Sequence, residues 1–358
     1  IELGEVEHAL SGVPGIRQSC VVCRERVTEG GTIKYLVGYY VPDDNYIASN
    51  DSAILDSWED LYDTEYKKSI DGEAIASDFS GWNSYVTGEA FSIREMELWR
   101  AEILGIIKRL SPERVLEIGV GTGLLMYPLL SRVQQYTGLD ISNAVIKRHQ
   151  EYLKDQGYDV SLYHLKADQL EELPEGRLYD TIIVNSVCQY FPGIGYFNAM
   201  LDQAISRLSE SGSIFLGDIR NYGLQKSLIA DKVSYQGESY TDQDIERIAI
   251  KENELLISPE YFEGLTARYT DIVVKIHERG SRYENELSKY RYDVIITGKG
   301  QIKKKKRDIE SGGYSHRYHN IPYLNQLSKE SILSALSGVL PEYMIPSTLM
   351  AMERFPLT

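Results

Sequence analysis

The 358-residue chain reads as an α/β protein on a doubly wound parallel sheet with an antiparallel terminal hairpin, and three observations lead there. From Arg114 short apolar runs alternate with helical patterns, the signature of strands joined by crossover helices. The first run ends in closely spaced glycines, "VLEIGVGTG" at 115–123, where a strand gives way to a helix. Past Gly264 two long alternating segments separated by a polar stretch read as an antiparallel pair closing one edge.

Taken in order, residues 1–42 predict a helix, a Pro-Gly turn and two strands. The parallel strands are then "RVLEIG" (114–119), "QQYTGLD" (134–140), "DVSLYHLKAD" (159–168), "YDTIIVNSV" (179–187) and "GSIFLGDI" (212–219), with helices opening near Thr122, Asn143 and Gly195. The closing pair is "ARYTDIVVKIHERG" (267–280) and "KYRYDVIITGKG" (289–300).

The glycine turn narrows the chemistry. A phosphate-binding P-loop needs Lys and Ser or Thr after its last glycine, and here Leu124, Leu125 and Met126 follow. The dinucleotide fingerprint spaces its glycines G-x-G-x-x-G, whereas Gly119, Gly121 and Gly123 are spaced G-x-G-x-G. Glu117 would repel a phosphate at the mouth of such a turn and suits a cationic ligand. The pattern E-x-G-x-G-x-G resembles the first motif of class I methyltransferases that use S-adenosyl-L-methionine, a cofactor with an ammonium, a sulfonium and no phosphate. That resemblance implies a Rossmann-like sheet whose ligand lies beyond the carboxyl ends of the strands. Asp140 then ends the second strand, beside Ile141, where an acid can accept both ribose hydroxyls. Asp168 ends the third, with Ala167 and Gln169, placed for an adenine amino group. Asn185 ends the fourth. Asp and Asn also favour turns and caps on their own account, but these arrive at successive strand ends in order.

Composition sets the outer bounds. At 42% hydrophobic the chain can bury a sizeable core. A net charge of −15 disfavours a nucleic-acid partner. No run of eighteen apolar residues and no secretory signal is visible, so a soluble, cytoplasmic protein without a membrane partner is expected. Cys20 and Cys23 fall at odd spacing in a strand, on opposite faces, and with Cys188 read as packing residues rather than zinc or redox ligands. His149, His164 and His277 have no metal or triad spacing and read as surface or packing residues, and no metal is expected. The basic run 303–307 reads as part of a solvated linker.

The flanks carry a second resemblance. Residues 1–42 are similar to the start of the small C-terminal subdomain of an adenylation domain of nonribosomal peptide synthetases, and 332–358, with "LPEYMIPS" at 340–347, to its later part. A split α+β subdomain with an inserted methyltransferase follows: 1–45 its first half, 46–300 the methyltransferase with an N-terminal helical lid, 301–317 a linker, 318–358 its truncated second half. "FSGWNSYVTGEAFSIREMELW" (79–99), "VNSVCQYFP" (184–192), "GDIRN" (217–221) and "RYENELSKYRYDVII" (282–296) agree with the family's pattern. The chain starts without Met and stops without a tail, as an excised piece of a larger synthetase would, and without the nucleotide-binding core it should not activate amino acids.

The resemblance implies N-methylation of the α-amine of an aminoacyl thioester on the phosphopantetheine arm of a peptidyl carrier protein, beside the synthetase's adenylation core, with S-adenosylhomocysteine as product. Asn185, Gln189, Tyr190, Asp218 and Arg220 are the candidates for substrate positioning; alternatively Tyr190 and Phe191 cap the core, and Asp218 pairs with Arg220. Trp82, Asn83, Ser84 and Tyr85 lie in a polar-aromatic segment that the family folds over the cofactor. O- or C-methylation, and a docking module that has lost its cofactor, are the competing readings.

Overall fold

The structure, a computed structural model, describes residues 2–28, 31–68, 75, 77–237, 239–279, 283–305, 318–323, 327–352 and 355. In chain order the first elements are α1 (Leu3–Ser11), β1 (Ile16–Thr28), β2 (Gly31–Pro42) and the long α2 (Asp44–Lys68). Then α3 (Ile93–Arg109) leads into β3 (Arg114–Ile118), α4 (Met126–Leu130), β4 (Gln135–Asp140), α5 (Asn143–Leu153), β5 (Val160–His164), β6 (Tyr179–Asn185), α6 (Ile194–Ser206) and β7 (Leu208–Arg220). After these come α7 (Gln225–Tyr235), α8 (Asp242–Ile250), α9 (Pro259–Glu263), α10 (Leu265–Arg268), β8 (Ile272–Glu278), α11 (Glu286–Lys289) and β9 (Arg291–Gly298). The last two are α12 (Lys329–Ser337) and β10 (Thr348–Ala351). No helix among the described residues is long and apolar enough to cross a membrane.

These elements form two compact units. One holds the residues up to Leu55 and those from Ile321 onward; the other holds Asp56 to Lys305 with Tyr318–Asn320. In the smaller unit β1 and β2 pair antiparallel, and β10, from the far end of the chain, pairs parallel with β2 from Thr348 opposite Val37 to Ala351 opposite Tyr40. Val6 and Leu10 of α1, Leu36 and Tyr40 of β2, and Ile332 and Leu336 of α12 share one core. Leu340 and Met344, from the 340–347 box, close it. The two cysteines on β1 do not pack as expected. Cys20 is only half-buried and Cys23 exposed, because Cys23 lies nearer the turn between β1 and β2, where the strand runs out into solvent.

The larger unit is the expected doubly wound sheet, in the order β5-β4-β3-β6-β7-β9-β8. Strands β3 to β7 run parallel to their neighbours, β9 lies antiparallel to β7, and β8 antiparallel to β9. The central strands are apolar on both faces because helices cover both, as for any buried parallel sheet; Val115, Leu116, Ile182, Ile183 and Val184 are fully buried. A capping box starts α3: the Ser92 hydroxyl accepts the Glu95 N–H, and the Glu95 carboxylate accepts the Ser92 N–H.

Three local expectations change. The third strand stops at His164 rather than running to 168, because the Gln169 side chain folds back to accept the Lys166 N–H at 2.8 Å and turns the chain out of the ladder. The helix expected near Thr122 begins only at Met126, since the left-handed glycines before it cannot be helical. In the basic run, Lys304 bridges Tyr269 and pairs with Asp202 at 2.8 Å, so 303–305 is exposed, as a solvated segment is, yet tied to the larger unit. The rest of the expected linker, 306–317, lies outside the described residues.

Candidate active site

The glycine turn is held from both sides. Gly119, Gly121 and Gly123 have left-handed backbone, with φ of 80°, 48° and 82°, a region glycine enters without steric cost. A Cβ on Gly119 would stand 2.4 Å from Val187 Cγ2, and one on Gly123 2.5 Å from the Tyr127 ring. The Asp140 carboxylate accepts the Gly121 N–H at 2.8 Å and the Ser142 N–H at 2.8 Å, one through each oxygen. Behind the turn, His149 Nε2 meets the Gly121 carbonyl at 2.8 Å and Nδ1 meets the Tyr127 hydroxyl at 2.7 Å. A carbonyl only accepts, so Nε2 carries the ring proton and Nδ1 takes the one from tyrosine. Burial pushes the imidazole down to about 4 and keeps it neutral. His149 is therefore a buried strut of the turn, a role that its spacing does not announce.

Two buried acids flank this turn. Glu117 is 2% exposed and its Oε2 accepts the Tyr136 hydroxyl at 2.6 Å. Burial pushes its carboxyl up to about 8, opposed by the Tyr136 hydrogen bond and reinforced by Asp140. Burial likewise lifts Asp140 to about 6 against the two backbone N–H donors. With no basic side chain in 119–123, the pair invites positive charge and repels phosphate.

Past β4 the Ile141 carbonyl accepts His164 Nε2 at 2.9 Å. Ala167, Asp168 and Gln169 lie in the turn after β5, so Asp168 stands four residues past the end of that strand and not at it as expected. Its carboxyl meets the Tyr196 hydroxyl, and the Gln203 amide holds its carbonyl and the Leu170 N–H. The sequence predicts a helical lid at the start of 46–300 but singles out no residue of α2. Asp63 on that helix accepts the Ser142 hydroxyl at 2.5 Å and the Ala144 N–H at 3.2 Å. Asp56 pairs with Lys166 at 2.8 Å, and the Trp58 and Tyr62 rings lie 4.9 and 5.4 Å from that of Tyr190. These partners follow β4, β5 and β6, so this part of α2 crosses the rim where the parallel strands end. The available signal was the i, i+4 spacing of Trp58 and Tyr62.

The ends of β6 and β7 are built differently. Ser186 (φ 57°) and Asp218 (φ 64°) take left-handed backbone without being glycines, a strain that typically costs about 1–3 kcal/mol per residue. Asp218 is wholly buried and accepts four side-chain donors: Trp99 Nε1 at 3.3 Å and Arg279 at 2.5 Å on Oδ1, Ser186 Oγ at 2.8 Å and Arg291 at 2.5 Å on Oδ2. Burial would raise this carboxyl, but Arg291, Arg279 and the hydrogen bonds together hold it at about 2. Asp293 joins the cluster, pairing with Arg279 at 2.8 Å and accepting the Asp218 N–H at 2.8 Å. Arg279, Arg291 and Asp293 come from the hairpin and were not foreseen.

Asp218 and Arg220 do not pair with each other. The register of β7 against β9 shifts between Leu216 and Ile219, and Arg220 instead pairs with Glu254 at 2.6 Å and Glu252 at 2.9 Å. Next to Asp218, Asn185 Nδ2 donates to Ser186 Oγ at 3.1 Å, leaving Oδ1 buried without a partner. Gln189 is 5% exposed and its Oε1 is also unpartnered. Tyr190 turns its ring to α2, whereas Phe191 is buried against Tyr196 and Phe197 and serves the core.

The 79–92 segment stands beside this second group. Trp82 packs on Trp99 with ring centres 4.4 Å apart, one residue removed from Asp218. Asn83 is exposed and bridges Ala90 through its backbone. The Ser84 hydroxyl and the Tyr85 N–H donate to Glu286 at 2.7 and 2.8 Å, and the Tyr85 ring receives Lys232 at 4.0 Å and Arg220 at 5.6 Å. Ser84 and Tyr85 thus bind to α11 and to the β7 end rather than to the glycine turn.

Residues 116–214 match the family model described as "Methyltransferase domain". This part of the chain is a methyltransferase domain. Over 83% of its length the chain is 33% identical to a probable non-canonical nonribosomal peptide synthetase, CymA, of Salinispora arenicola, covering 4% of that protein. It is also 33% identical to chondramide synthase of Chondromyces crocatus over the same share of its length, covering 8% of that protein. The chain thus spans well under a tenth of the length of these relatives. Among solved structures it is similar to the N-methyltransferase NodS of Bradyrhizobium japonicum, at 16% identity and a TM-score of 0.36 over 55% of this chain and 86% of that one.

Proposed function

We propose that the larger unit transfers a methyl group from S-adenosyl-L-methionine to the α-amino nitrogen of an aminoacyl thioester on a peptidyl carrier protein, with S-adenosylhomocysteine as the other product. The observation that carries this reading is the pairing of two chemistries along one rim. Two buried acids, Glu117 and Asp140, flank a glycine turn that carries no basic side chain, and unpartnered neutral acceptors, Asn185 Oδ1 and Gln189 Oε1, stand at the end of β6. The first suits a cationic cofactor; the second suits N–H donors of a nucleophile. The similarity to peptide synthetases supports the carrier-bound substrate and the adenylation subdomain as context.

When bound, the cofactor supplies a methyl group on a positively charged sulfur. Glu117 and Asp140 would hold it, with the backbone of Gly119 to Gly123 closing on it. The remaining work of this chain is orientation, which is what an in-line displacement needs most. Asp218 is not the proton acceptor: both its oxygens are occupied and its pKa lies far below that of an amine. Asn185 and Gln189 accept hydrogen bonds without taking protons, so the amine reacts in its neutral form and sheds its proton to water.

Calorimetry with S-adenosylhomocysteine and fragmentation of a methylated carrier-bound amino acid test the reading. Binding together with methyl on nitrogen is expected. Methyl on oxygen or carbon would reassign the nucleophile, and absence of binding would leave a docking module.

A further inference from the structure

The polar structure at the ends of β6 and β7 has a direction, and it leads to a residue that none of the motifs singled out. We propose that Ser186 is a positioning residue of the reaction: through a one-way chain of hydrogen bonds from Asp218, it fixes the Asn185 amide with its oxygen toward the reacting nitrogen. The proposal deepens the amine methylation above and rests on it.

The direction follows from what each group can do. Asp218, held as a carboxylate by Arg279 and Arg291, offers only acceptors. The Ser186 hydroxyl, 2.8 Å from Oδ2, must therefore donate to it. Its one proton being committed, Ser186 Oγ presents only lone pairs to its other neighbour. Asn185 can then face it only through its NH2 group, as the 3.1 Å contact from Nδ2 requires. The amide oxygen is turned the other way, buried and without a donor. It occupies the place a side chain at 217 would take, since a Cβ on Gly217 would come within 2.2 Å of Oδ1. Without the hydroxyl nothing on this side distinguishes the two ends of the amide, and a flipped Asn185 would offer N–H groups to an amine that needs an acceptor.

The backbone points the same way. Ser186 and Asp218 are both left-handed, where glycine would be at ease, and each carries one of the two groups that set the direction. Strain of this kind persists where neighbouring structure enforces it, and here the enforcing contacts are the Asp218 N–H on Asp293 and the Arg279 clamp.

The test compares wild type, Ser186→Ala, Asn185→Asp and the double variant, measuring methyl transfer to a carrier-bound aminoacyl thioester, S-adenosylhomocysteine affinity and melting temperature. Ser186→Ala is expected to slow turnover about tenfold, a hydrogen bond's worth, with cofactor-product affinity and melting temperature close to wild type. In the Asn185→Asp background the side chain has an oxygen at either end, so adding Ser186→Ala should change turnover by less than about twofold. A second readout is the side-chain amide resonance of Asn185, which should shift in Ser186→Ala. Undiminished turnover in Ser186→Ala, equal slowing in both backgrounds, a parallel loss of affinity or an unmoved resonance would each overturn the relay. A wild type that binds S-adenosylhomocysteine yet methylates no amine would instead take down the proposed function.

Discussion

The two halves of the rim solve the same geometric problem with opposite materials. At the glycine turn the left-handed positions are glycines and the polar contacts run from side chain to backbone, as from Asp140 to Gly121 and from His149 to Gly121. At the ends of β6 and β7 the left-handed positions are Ser186 and Asp218, and the contacts join full charges. Burial raises both acids of the first half, to about 8 for Glu117 and about 6 for Asp140. Asp218 in the second half brings its own countercharge and sits at about 2. One half is completed by a charge that comes from outside; the other is complete already and leaves only neutral acceptors over.

That contrast can be broken most forcefully at Arg279. Arg279→Ala strands the buried Asp293 without its guanidinium, leaves Asp218 with Arg291 alone, and should cost about 3–5 kcal/mol in denaturant unfolding. Arg114→Ala, which removes an exposed partner of Asp180, should cost about 0–1 kcal/mol; similar losses would mean the cluster is not what holds the β7 end. Asp140→Ala should act on binding instead, since charge-assisted hydrogen bonds contribute roughly 1.5–3 kcal/mol each. Calorimetry should show S-adenosylhomocysteine affinity falling far more than the melting temperature, and the reverse ranking would make the glycine half structural too. Gly119→Ala forces φ of 80° on a side chain that also meets Val187, and should destabilise by about 1–3 kcal/mol.

The pH dependence of Glu117 has the most informative sign. The folded Glu117 carboxyl, at about 8, lies above the roughly 4.3 of an unfolded glutamate. Its contribution to stability is full below the unfolded value and is lost as pH rises toward the folded one. Glu117→Gln should therefore melt higher than wild type at pH near 8, with the gap closing as pH falls toward the unfolded value. Cofactor-product affinity of the wild type should improve over the same rise in pH, because the anion is the form that meets a cation. A pH-independent gap in melting temperature would show that Glu117 is not buried as an acid.

What was legible in the sequence follows the same division. Glycine spacing, apolar alternation and strand-end acids are local signals, and Gly119, Gly121, Gly123, Glu117, Asp140, the sheet and its closing hairpin could be read from them. Asp218 could be singled out but not understood, because its partners Arg279 and Arg291 lie 61 and 73 residues away. Asp168 was set at a strand end because "HLKAD" continues an alternating pattern, whereas the Gln169 amide competes for the backbone and ends the strand early. His149 reads from its spacing as a surface or packing residue; it is buried, and the carbonyl it holds is visible only in the fold. The α2 contacts were missed because a polar helix between β2 and β3 carries no motif.

The parallel pairing of β10 with β2 has a consequence for how the chain is made. The inner edge of the β1-β2 hairpin leaves the ribosome about 300 residues before the strand that will cover it, which at the usual rates of synthesis is a wait of roughly 15–60 s. Throughout that interval an uncapped edge is available to any other extended segment. The larger unit has time to fold in the meantime, so the small sheet is begun before the larger unit and finished after it.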